Sequence, residues 1–303
     1  LDDFCLLSVI GKGSYGKVML ARHKETGTVY AIKAISKSKI RGRPADIRRV
    51  MSEREVLRRN ATHPFLIGLR YSFQSAQKLY LCVDYVSGGE LFFHLQRDRR
   101  FPEARTRFYA CEILSALEYL HELGFVYRDL KPENLLLDSE GHIRLVDFGL
   151  AKNTGEGKTS TFCGTPEYLA PEVLRRQRYG KEVDWYCFGS VIYEMLVGLP
   201  PFYSPDDRDM FDRILHERVR FPNFVSKPAR VLIVNLLERN PKLRLGSRGA
   251  SEVKSQAFFR GIDWDRVYRK EYPVPFDPQV AGTMDLHNID PKFCGEPIPN
   301  SLL

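Results

Sequence analysis

Several polar side chains with different chemistry fall within the eight residues Tyr127–Asn134 of this 303-residue chain. Asp129 supplies a carboxylate, Lys131 a cation and Asn134 an amide. This combination suits phosphoryl transfer, in which an acceptor hydroxyl, a transferring phosphate and a metal must be held together. Because Pro132 and Asn134 also favour turns, the octet could equally be a polar turn before the next strand. Taken alone, it leaves both interpretations open.

A second candidate carboxylate lies in the triplet Asp147–Gly149, directly after the apolar run His142–Val146. The run predicts the second strand of a short hairpin that ends at this aspartate. A hard cation such as Mg²⁺ takes oxygen ligands and keeps several waters, so Asp147 and Asn134 form a candidate metal pair. The alternative, a plain turn cap, is disfavoured by the presence of Asp129 earlier in the chain.

The elements that position these residues begin with a predicted strand at Phe4–Ile10, followed by the pattern Gly11-x-Gly13-x-x-Gly16. This pattern is weak by itself, because dinucleotide-binding turns and flaps over ATP share it. A dinucleotide fold needs a helix after the third glycine. Here a short apolar run and a second strand at Val29–Ile35 follow instead. A glycine-rich turn between two strands is therefore predicted, with backbone amides that can approach phosphates.

Lys33 lies inside that second strand, on the same face as Ala31 because side chains alternate along a strand. Burying its ammonium is costly unless an anion meets it. The predicted helix at 46–59 offers Glu53 or Glu55 as that anion. The alternative is an exposed lysine on an edge strand.

The remaining pattern predicts two lobes. Two further strands, at 67–73 and 79–83, complete a small, mostly antiparallel first lobe of five strands and one helix. Apolar residues at helical spacing over Ala110–Leu120 predict a long helix, and later helical patterns predict a mainly helical second lobe. From Ile262 the chain becomes rich in proline, which predicts an extended tail, either wrapped over the body or mobile.

Composition describes an ordinary globular chain with 43% hydrophobic residues and a formal net charge of +8. Because the basic residues are spread among 38 acidic ones, a solvated basic surface is favoured over a nucleic-acid or membrane partner.

The six cysteines are far apart, which indicates reduced thiols in the cytosol, with the nucleus as a second compartment. There is no zinc-type spacing and no G-x-S-x-G elbow. Since residue 1 is Leu, we expect an excised piece of a longer chain.

Six motifs in one order resemble the signature of the protein kinases. They are Gly11-x-Gly13-x-x-Gly16-x-Val18, Ala31-Ile32-Lys33, Glu53, Tyr127–Asn134, Asp147-Phe148-Gly149 and Ala170-Pro171-Glu172. Lys131 and Gly164–Glu167 are similar to the serine/threonine class, and Thr161–Tyr168 and Pro275–Pro278 to the AGC group. Tyr71–Gln74 and Glu296–Ser301 resemble the serum- and glucocorticoid-regulated kinases, a likeness shared with their fungal relatives and with protein kinase B.

The resemblance implies an α+β, bilobal kinase fold that binds ATP and Mg²⁺. The flap of Gly11, Gly13 and Gly16 would cover the phosphates. Lys33, oriented by Glu53, would hold the α- and β-phosphates. The remaining roles that it implies are Asp129 for the acceptor proton, Lys131 for the transferred phosphate, Asn134 and Asp147 for metal, and Val18, Ala31, Val83 and the backbone of Asp84–Val86 for adenine.

Regulation and specificity follow from the same resemblance. Thr161 would be the activating phosphosite, with Arg128, Lys152 and Arg49 as its cations; the alternative is an exposed loop threonine. Glu90, Glu133 and Glu194 would receive substrate arginines, which implies an Arg-x-Arg-x-x-Ser/Thr preference. Alternative functions are an AGC subfamily with an Arg-Arg-x-Ser preference and a pseudokinase scaffold.

The implied partners are basic protein substrates and an upstream kinase similar to the phosphoinositide-dependent kinases, with no nucleic acid, no membrane contact from this segment and a monomeric state. The implied limits are residues 1–86 for the first lobe and hinge, 87–260 for the second lobe and 261–303 for an AGC-type tail. That tail would end before the hydrophobic motif of the group. Asp184 would brace the catalytic loop, and Glu172 would pair with Arg244.

Overall fold

A computed structural model describes residues 1–13, 15–60, 62–155 and 157–298. Ser14 of the glycine-rich turn and Pro299–Ser301 of the tail motif lie outside this part. The chain divides into two compact units: residues 1–90, 136–149 and 277–303 form unit 1, and residues 91–135 and 150–276 form unit 2. The lobe limits predicted at residues 86 and 260 stay predictions.

Unit 1 contains a five-stranded antiparallel sheet of order β1-β2-β3-β5-β4 within the described residues. Its strands are β1 (Phe4–Gly13), β2 (Gly16–His23), β3 (Val29–Ser36), β4 (Leu69–Gln74) and β5 (Lys78–Asp84). β3 is the central strand, so the edge-strand alternative for Lys33 is wrong. One face of the sheet carries a buried cluster that includes Ile32, Ala34 and Cys82, and alternation turns Lys33 to the opposite face.

Two helices accompany this sheet: the one-turn α1 (Lys37–Ile40) and the main helix α2 (Pro44–Arg59). Pro44 stands in the first turn of α2, where its missing N–H costs nothing. Asp46 near the start and Arg58 and Arg59 near the end match the helix dipole. The predicted lobe of five antiparallel strands and one main helix is confirmed.

Unit 2 is mainly helical, as predicted. Its helices are α3 (Leu91–Asp98), α4 (Glu103–Glu122), α5 (Pro171–Leu174), α6 (Glu182–Val197), α7 (Asp207–His216), α8 (Lys227–Leu236), α9 (Ala250–Lys254) and α10 (Trp264–Tyr268). Residues 183–196 of α6 are all buried, which makes it the central helix, packed against α4 and α8. It ends at Gly198, whose φ of 99° is the left-handed conformation that closes helices.

Short strands carry the segments between these helices. β6 (Phe125–Val126) pairs with β9 (Lys152–Asn153) in unit 2. β7 (Leu135–Leu137) and β8 (Ile143–Leu145) form the predicted hairpin. Among the described residues, no helix combines the length and apolar character needed to cross a membrane.

The proline-rich end contains more structure than its composition predicts. Besides α10, it forms the one-turn helix α11 (Pro291–Cys294), where the Asp290 side chain accepts a hydrogen bond from the Lys292 amide. Further along, Lys17 of β2 forms an ion pair with Glu296. The described residues 277–298 therefore belong to unit 1, and α11 packs against β1.

Candidate active site

The glycine-rich turn closes the β1–β2 hairpin, with Gly13 paired to Gly16 and Gly11 to Val18. A Cβ atom at Gly16 would lie 1.7 Å from the carbonyl oxygen of Ala34, which no side chain tolerates. A Cβ at Gly13 would meet no atom within 4 Å. Gly16 is therefore required by the sheet itself, whereas Gly13 leaves its side of the turn open for a close approach by another molecule.

Lys33 is the centre of a charge cluster in unit 1. Its ammonium lies 2.5 Å from Glu53 Oε1 and 3.4 Å from Asp147 Oδ1. Burial acts against this ammonium, but the two carboxylates outweigh it and raise the pKa of Lys33 above its ordinary value. Of the two candidate anions, Glu53 points inward, while Glu55 binds Arg58 and Arg59 on the surface.

Asp147 adopts a φ of 51°, uncommon for a non-glycine residue. Its Oδ1 accepts a hydrogen bond from the Gly149 amide at 3.2 Å, and the side chain is 52% exposed. An accessible carboxylate held by its own backbone fits a ligand for a hydrated hard cation. Within the described residues, no three His, Cys, Asp or Glu side chains converge as a protein-only metal cage. A metal here would need further oxygen ligands, such as an amide, water or a bound phosphate.

Residues predicted for adenine binding share one region of unit 1. Ala31 of β3 pairs with Leu20 of β2 and with Val83 of β5. The carboxylate of Asp84 is held by Arg70 in a two-point ion pair at 2.7 and 2.8 Å. This pairing occupies both oxygens of the Asp84 carboxylate. Val86 is buried and Val18 half-buried.

The tail contacts the segment that follows Asp84. Tyr85 donates a hydrogen bond to the carbonyl of Asp285 at 2.6 Å. The buried Asn288 side chain donates to the carbonyls of Ser87 and Pro278. A Cβ at Gly89 would lie 2.6 Å from the Asn288 carbonyl, so the glycine permits the close packing. The tail therefore packs on residues 85–89 of unit 1 here.

Asp129 of unit 2 is surrounded by hydrogen-bond donors. Thr165 Oγ1 donates to Asp129 Oδ1 at 2.9 Å, and Asn134 Nδ2 donates to Oδ2 at 3.0 Å. The Lys131 ammonium lies 3.4 Å from the same carboxylate and donates to Thr165 Oγ1 at 2.7 Å. Asn134 uses its amide N–H₂ here, and its side-chain oxygen takes no part in these bonds. The octet is therefore one bonded unit rather than a loose polar turn.

Asp184 holds this loop from α6. Its two oxygens accept the amide hydrogens of Tyr127 and Arg128, both at 2.8 Å, and His121 Nε2 lies 2.7 Å from it. The side chain is fully buried, and Arg128 has a φ of 71°. A buried carboxylate with these donors is satisfied and stabilises the unusual backbone.

The predicted activating residue Thr161 is exposed. Lys152 Nζ donates to Thr159 Oγ1 at 2.8 Å, and Thr159 Oγ1 lies 3.3 Å from Thr161 Oγ1. Arg128 donates to the Leu150 carbonyl at 2.6 Å. Lys152 and Arg128, two of the predicted cations, therefore lie in the same unit as Thr161. Arg49 lies on α2 of unit 1, where it interacts with Tyr15.

Three carboxylates form a partly buried acidic group in unit 2: Glu133, Glu167 and Glu194. Burial and the two neighbouring carboxylates raise the pKa of Glu194 to about 7, although Tyr168 donates a hydrogen bond to it at 2.5 Å. One buried oxygen of Glu133 and one of Glu167 accept no hydrogen bond from the described residues. Glu90 is exposed and lies in unit 1.

Sequence reasoning assigned no role to Thr165, Glu167, Tyr168 or Tyr179. Each lies in or near the motif Thr161–Tyr168, but its partner is distant in sequence; Thr165 and Asp129 are 36 residues apart.

The predicted pair of Glu172 and Arg244 is present in unit 2. The two side chains form a two-point ion pair at 2.6 and 2.8 Å, and both are almost completely buried. It joins the segment after Thr165 to the loop after α8.

Comparison with known proteins identifies the family. The protein kinase domain model matches residues 4–259. Curated relatives named serine/threonine-protein kinase Sgk1 from Gallus gallus, Homo sapiens and Danio rerio are each 54% identical over 304 residues, covering 99% of this chain and 70% of the relative. With the α+β architecture and the charge clusters described above, this chain therefore belongs to the protein kinase family and is a serine/threonine kinase of the AGC group, similar to the serum- and glucocorticoid-regulated kinases.

Proposed function

We propose that this kinase transfers the γ-phosphate of ATP to Ser or Thr in proteins with an Arg-x-Arg-x-x-Ser/Thr sequence, and that phosphorylation of Thr161 activates it. The observation that carries the first part is the bonded group of Asp129, Lys131, Asn134 and Thr165. The oxygen of the substrate hydroxyl forms a bond to the γ-phosphorus while the bond from that phosphorus to the ADP oxygen breaks, and Asp129 accepts the hydroxyl proton. Lys131 balances charge on the transferred group.

The nucleotide side of the proposal rests on unit 1. Lys33, kept protonated by Glu53 and Asp147, binds the α- and β-phosphates. Asp147 and Asn134 supply oxygen ligands for Mg²⁺, which neutralises charge on the phosphates when bound. Backbone groups of Asp84–Val86 bind the adenine, and the Gly11–Gly16 flap covers the phosphates.

The six cysteines are free thiols, which supports a cytosolic or nuclear protein.

The preference for arginine rests on Glu133, Glu167 and Glu194. These carboxylates are partly buried and repel one another, and one oxygen each of Glu133 and Glu167 has no hydrogen-bond partner among the described residues. A guanidinium offers planar, two-point hydrogen bonds to such groups. Glu90 is proposed to add a further carboxylate. The alternative Arg-Arg-x-Ser preference differs by not requiring arginine five residues before the acceptor.

A peptide array with each position varied tests this specificity. We expect arginine to be selected at the fifth and third residues before the acceptor. Glu133→Gln should reduce kcat/KM for the arginine peptide by about 10-fold or more, the size of a lost charge-assisted pair. A peptide without arginines serves as the control and should be affected little. Selection of acidic residues, or of proline after the acceptor, contradicts the assignment.

The activating role of Thr161 is tested by Thr161→Ala beside Ser160→Ala, since both residues are exposed neighbours. A phosphate at Thr161 can form one to three charge-assisted hydrogen bonds with cations such as Arg128 and Lys152. After treatment with an upstream kinase, we expect Thr161→Ala to lose at least about tenfold in kcat and Ser160→Ala to match the wild type. Equal activation of Thr161→Ala and wild type overturns the proposal.

A further inference from the structure

Tyr179 connects the segment 159–163 to Arg128 of the loop Tyr127–Asn134 within unit 2. Its backbone exchanges two hydrogen bonds with Thr159, at 2.8 and 2.9 Å. Its hydroxyl donates to the Thr161 carbonyl at 2.6 Å and accepts from Arg128 Nη1 at 3.2 Å. Cys163 Sγ lies 3.7 Å from the same oxygen. One residue therefore contacts Thr159, Thr161 and Cys163 on one side and Arg128 on the other.

The surroundings make this hydroxyl hard to replace. Tyr179 is only 2% exposed, and Arg128 is 9% exposed. Burial raises the pKa of Tyr179 well above its ordinary value, so the phenol keeps the proton that it donates to Thr161. Removing the oxygen would leave a guanidinium N–H and a carbonyl without their partner in a place that water reaches poorly.

Arg128 matters because it directly precedes Asp129 and has the strained φ of 71°. Among the described residues, its guanidinium donates hydrogen bonds to the Leu150 carbonyl and to the Tyr179 hydroxyl. Losing one of them would let the side chain turn and would leave the bonds to Asp184 as the remaining support of the backbone that leads to Asp129. The loss should reduce catalysis rather than nucleotide binding, because small displacements of a positioned group lower the rate of the chemical step.

We propose that Tyr179 is a positioning residue of this kinase, whose hydroxyl holds the Thr161 segment against Arg128 and thereby keeps Asp129 in place before any phosphate is added. The role rests on the kinase activity of the family and on the described hydrogen bonds. It does not require Thr161 to be phosphorylated.

Tyr179→Phe tests the proposal, with Tyr186→Phe as the matched control. Both tyrosines are buried in unit 2, but the Tyr186 hydroxyl has no hydrogen-bond partner among the described residues. We expect Tyr179→Phe to lower kcat about tenfold in both the unphosphorylated and the phosphorylated full chain, with KM for ATP changed less than about twofold. Amide hydrogen exchange should accelerate at 159–163. Tyr186→Phe should match the wild type in all three measurements.

A double-mutant cycle with Arg128→Lys separates positioning from general destabilisation. If the hydroxyl acts through Arg128, the second substitution should cost little once the first is present. Wild-type kcat in Tyr179→Phe overturns the proposal, as do fully additive losses, or a loss explained by a lower melting temperature alone. A Thr161→Ala protein that is as active as wild type beside an impaired Tyr179→Phe would refute the phosphorylation proposal and leave this one standing.

Discussion

At the scale of single residues, Glu194 stands out because its carboxyl titrates near neutral pH. Burial and the charges of Glu133 and Glu167 raise its pKa from 4.5 to about 7, and only Tyr168 opposes them. A bound substrate arginine would supply the missing positive charge and favour the ionised form. On the proposal that a substrate arginine binds here, substrate binding and the ionisation of Glu194 are linked.

We predict that KM for an arginine-containing peptide rises several-fold as the pH falls from about 8 to about 6, because the protonated carboxyl attracts a guanidinium weakly. Glu194→Gln should show a high KM that no longer changes over this range. Steady-state kinetics at constant ionic strength measure both profiles. Parallel pH profiles for the wild type and the variant would exclude Glu194 as the titrating group.

The same shift predicts a stability effect of defined sign. The folded protein holds a proton that the unfolded chain releases above pH 4.5, so the stabilising contribution is complete below that pH and is lost as the pH rises through about 7. Glu194→Gln removes this dependence. We expect the variant to have a higher melting temperature than the wild type at pH 8, and a smaller difference at pH 5.

At the scale of elements, the β1–β2 hairpin shows how one motif combines two requirements. Gly13 and Gly16 belong to the same pattern, yet only Gly16 faces the backbone of β3. The pattern predicts a close approach of backbone amides to phosphates, which explains an open position such as Gly13. Close packing against Ala34 is a separate reason for glycine, and it concerns the stability of the sheet.

We predict that Gly16→Ala is much more harmful than Gly13→Ala. The added methyl at Gly16 must displace the Ala34 carbonyl, which disturbs pairing next to Lys33 and should cost roughly 1–3 kcal/mol or more. Thermal melting and KM for ATP measure the effect, and Gly13→Ala is the control with the same change in volume. Equal losses in the two variants would mean that strand packing does not determine the need for Gly16.

Helix α4 illustrates the limit of periodicity. The apolar spacing correctly predicted a long helix and its buried residues Ala110, Ile113 and Leu117. It did not predict that polar residues such as Arg105 and Glu112 are also buried. The guanidinium carbon of Arg105 lies 3.9 Å from the ring centroids of Phe101 and Phe276. Such contacts come from neighbours that the helical pattern does not contain.

At the scale of the whole molecule, nucleotide and metal should stabilise the fold together. A ligand that binds only the folded state raises stability by about 2.7 kcal/mol at 100 times its Kd. We therefore predict that ATP with Mg²⁺ raises the melting temperature, and that a chelator removes most of this increase. Asp147→Asn should show a much smaller metal-dependent increase. An equal metal-dependent shift in the wild type and Asp147→Asn would contradict the metal assignment.

The sequence by itself determined the family and the order of most strands and helices, and it predicts which residues carry the chemistry. It could do so because these depend on local signals: side-chain alternation, helical spacing, glycine-rich turns and short motifs such as Tyr127–Asn134. Element ends were less precise; the helix predicted at 46–59 begins at Pro44, and the strand predicted at 67–73 is Leu69–Gln74.

Only the tertiary structure decided which of these residues meet. It placed Lys33 on the central strand, chose Glu53 over Glu55, and joined Thr165 to Asp129 and Tyr179 to Arg128. The last two pairs are separated by 36 and 51 residues. A hydrogen bond depends on distances of about 3 Å, and the path of the intervening chain, which packing sets, determines whether two distant residues come that close.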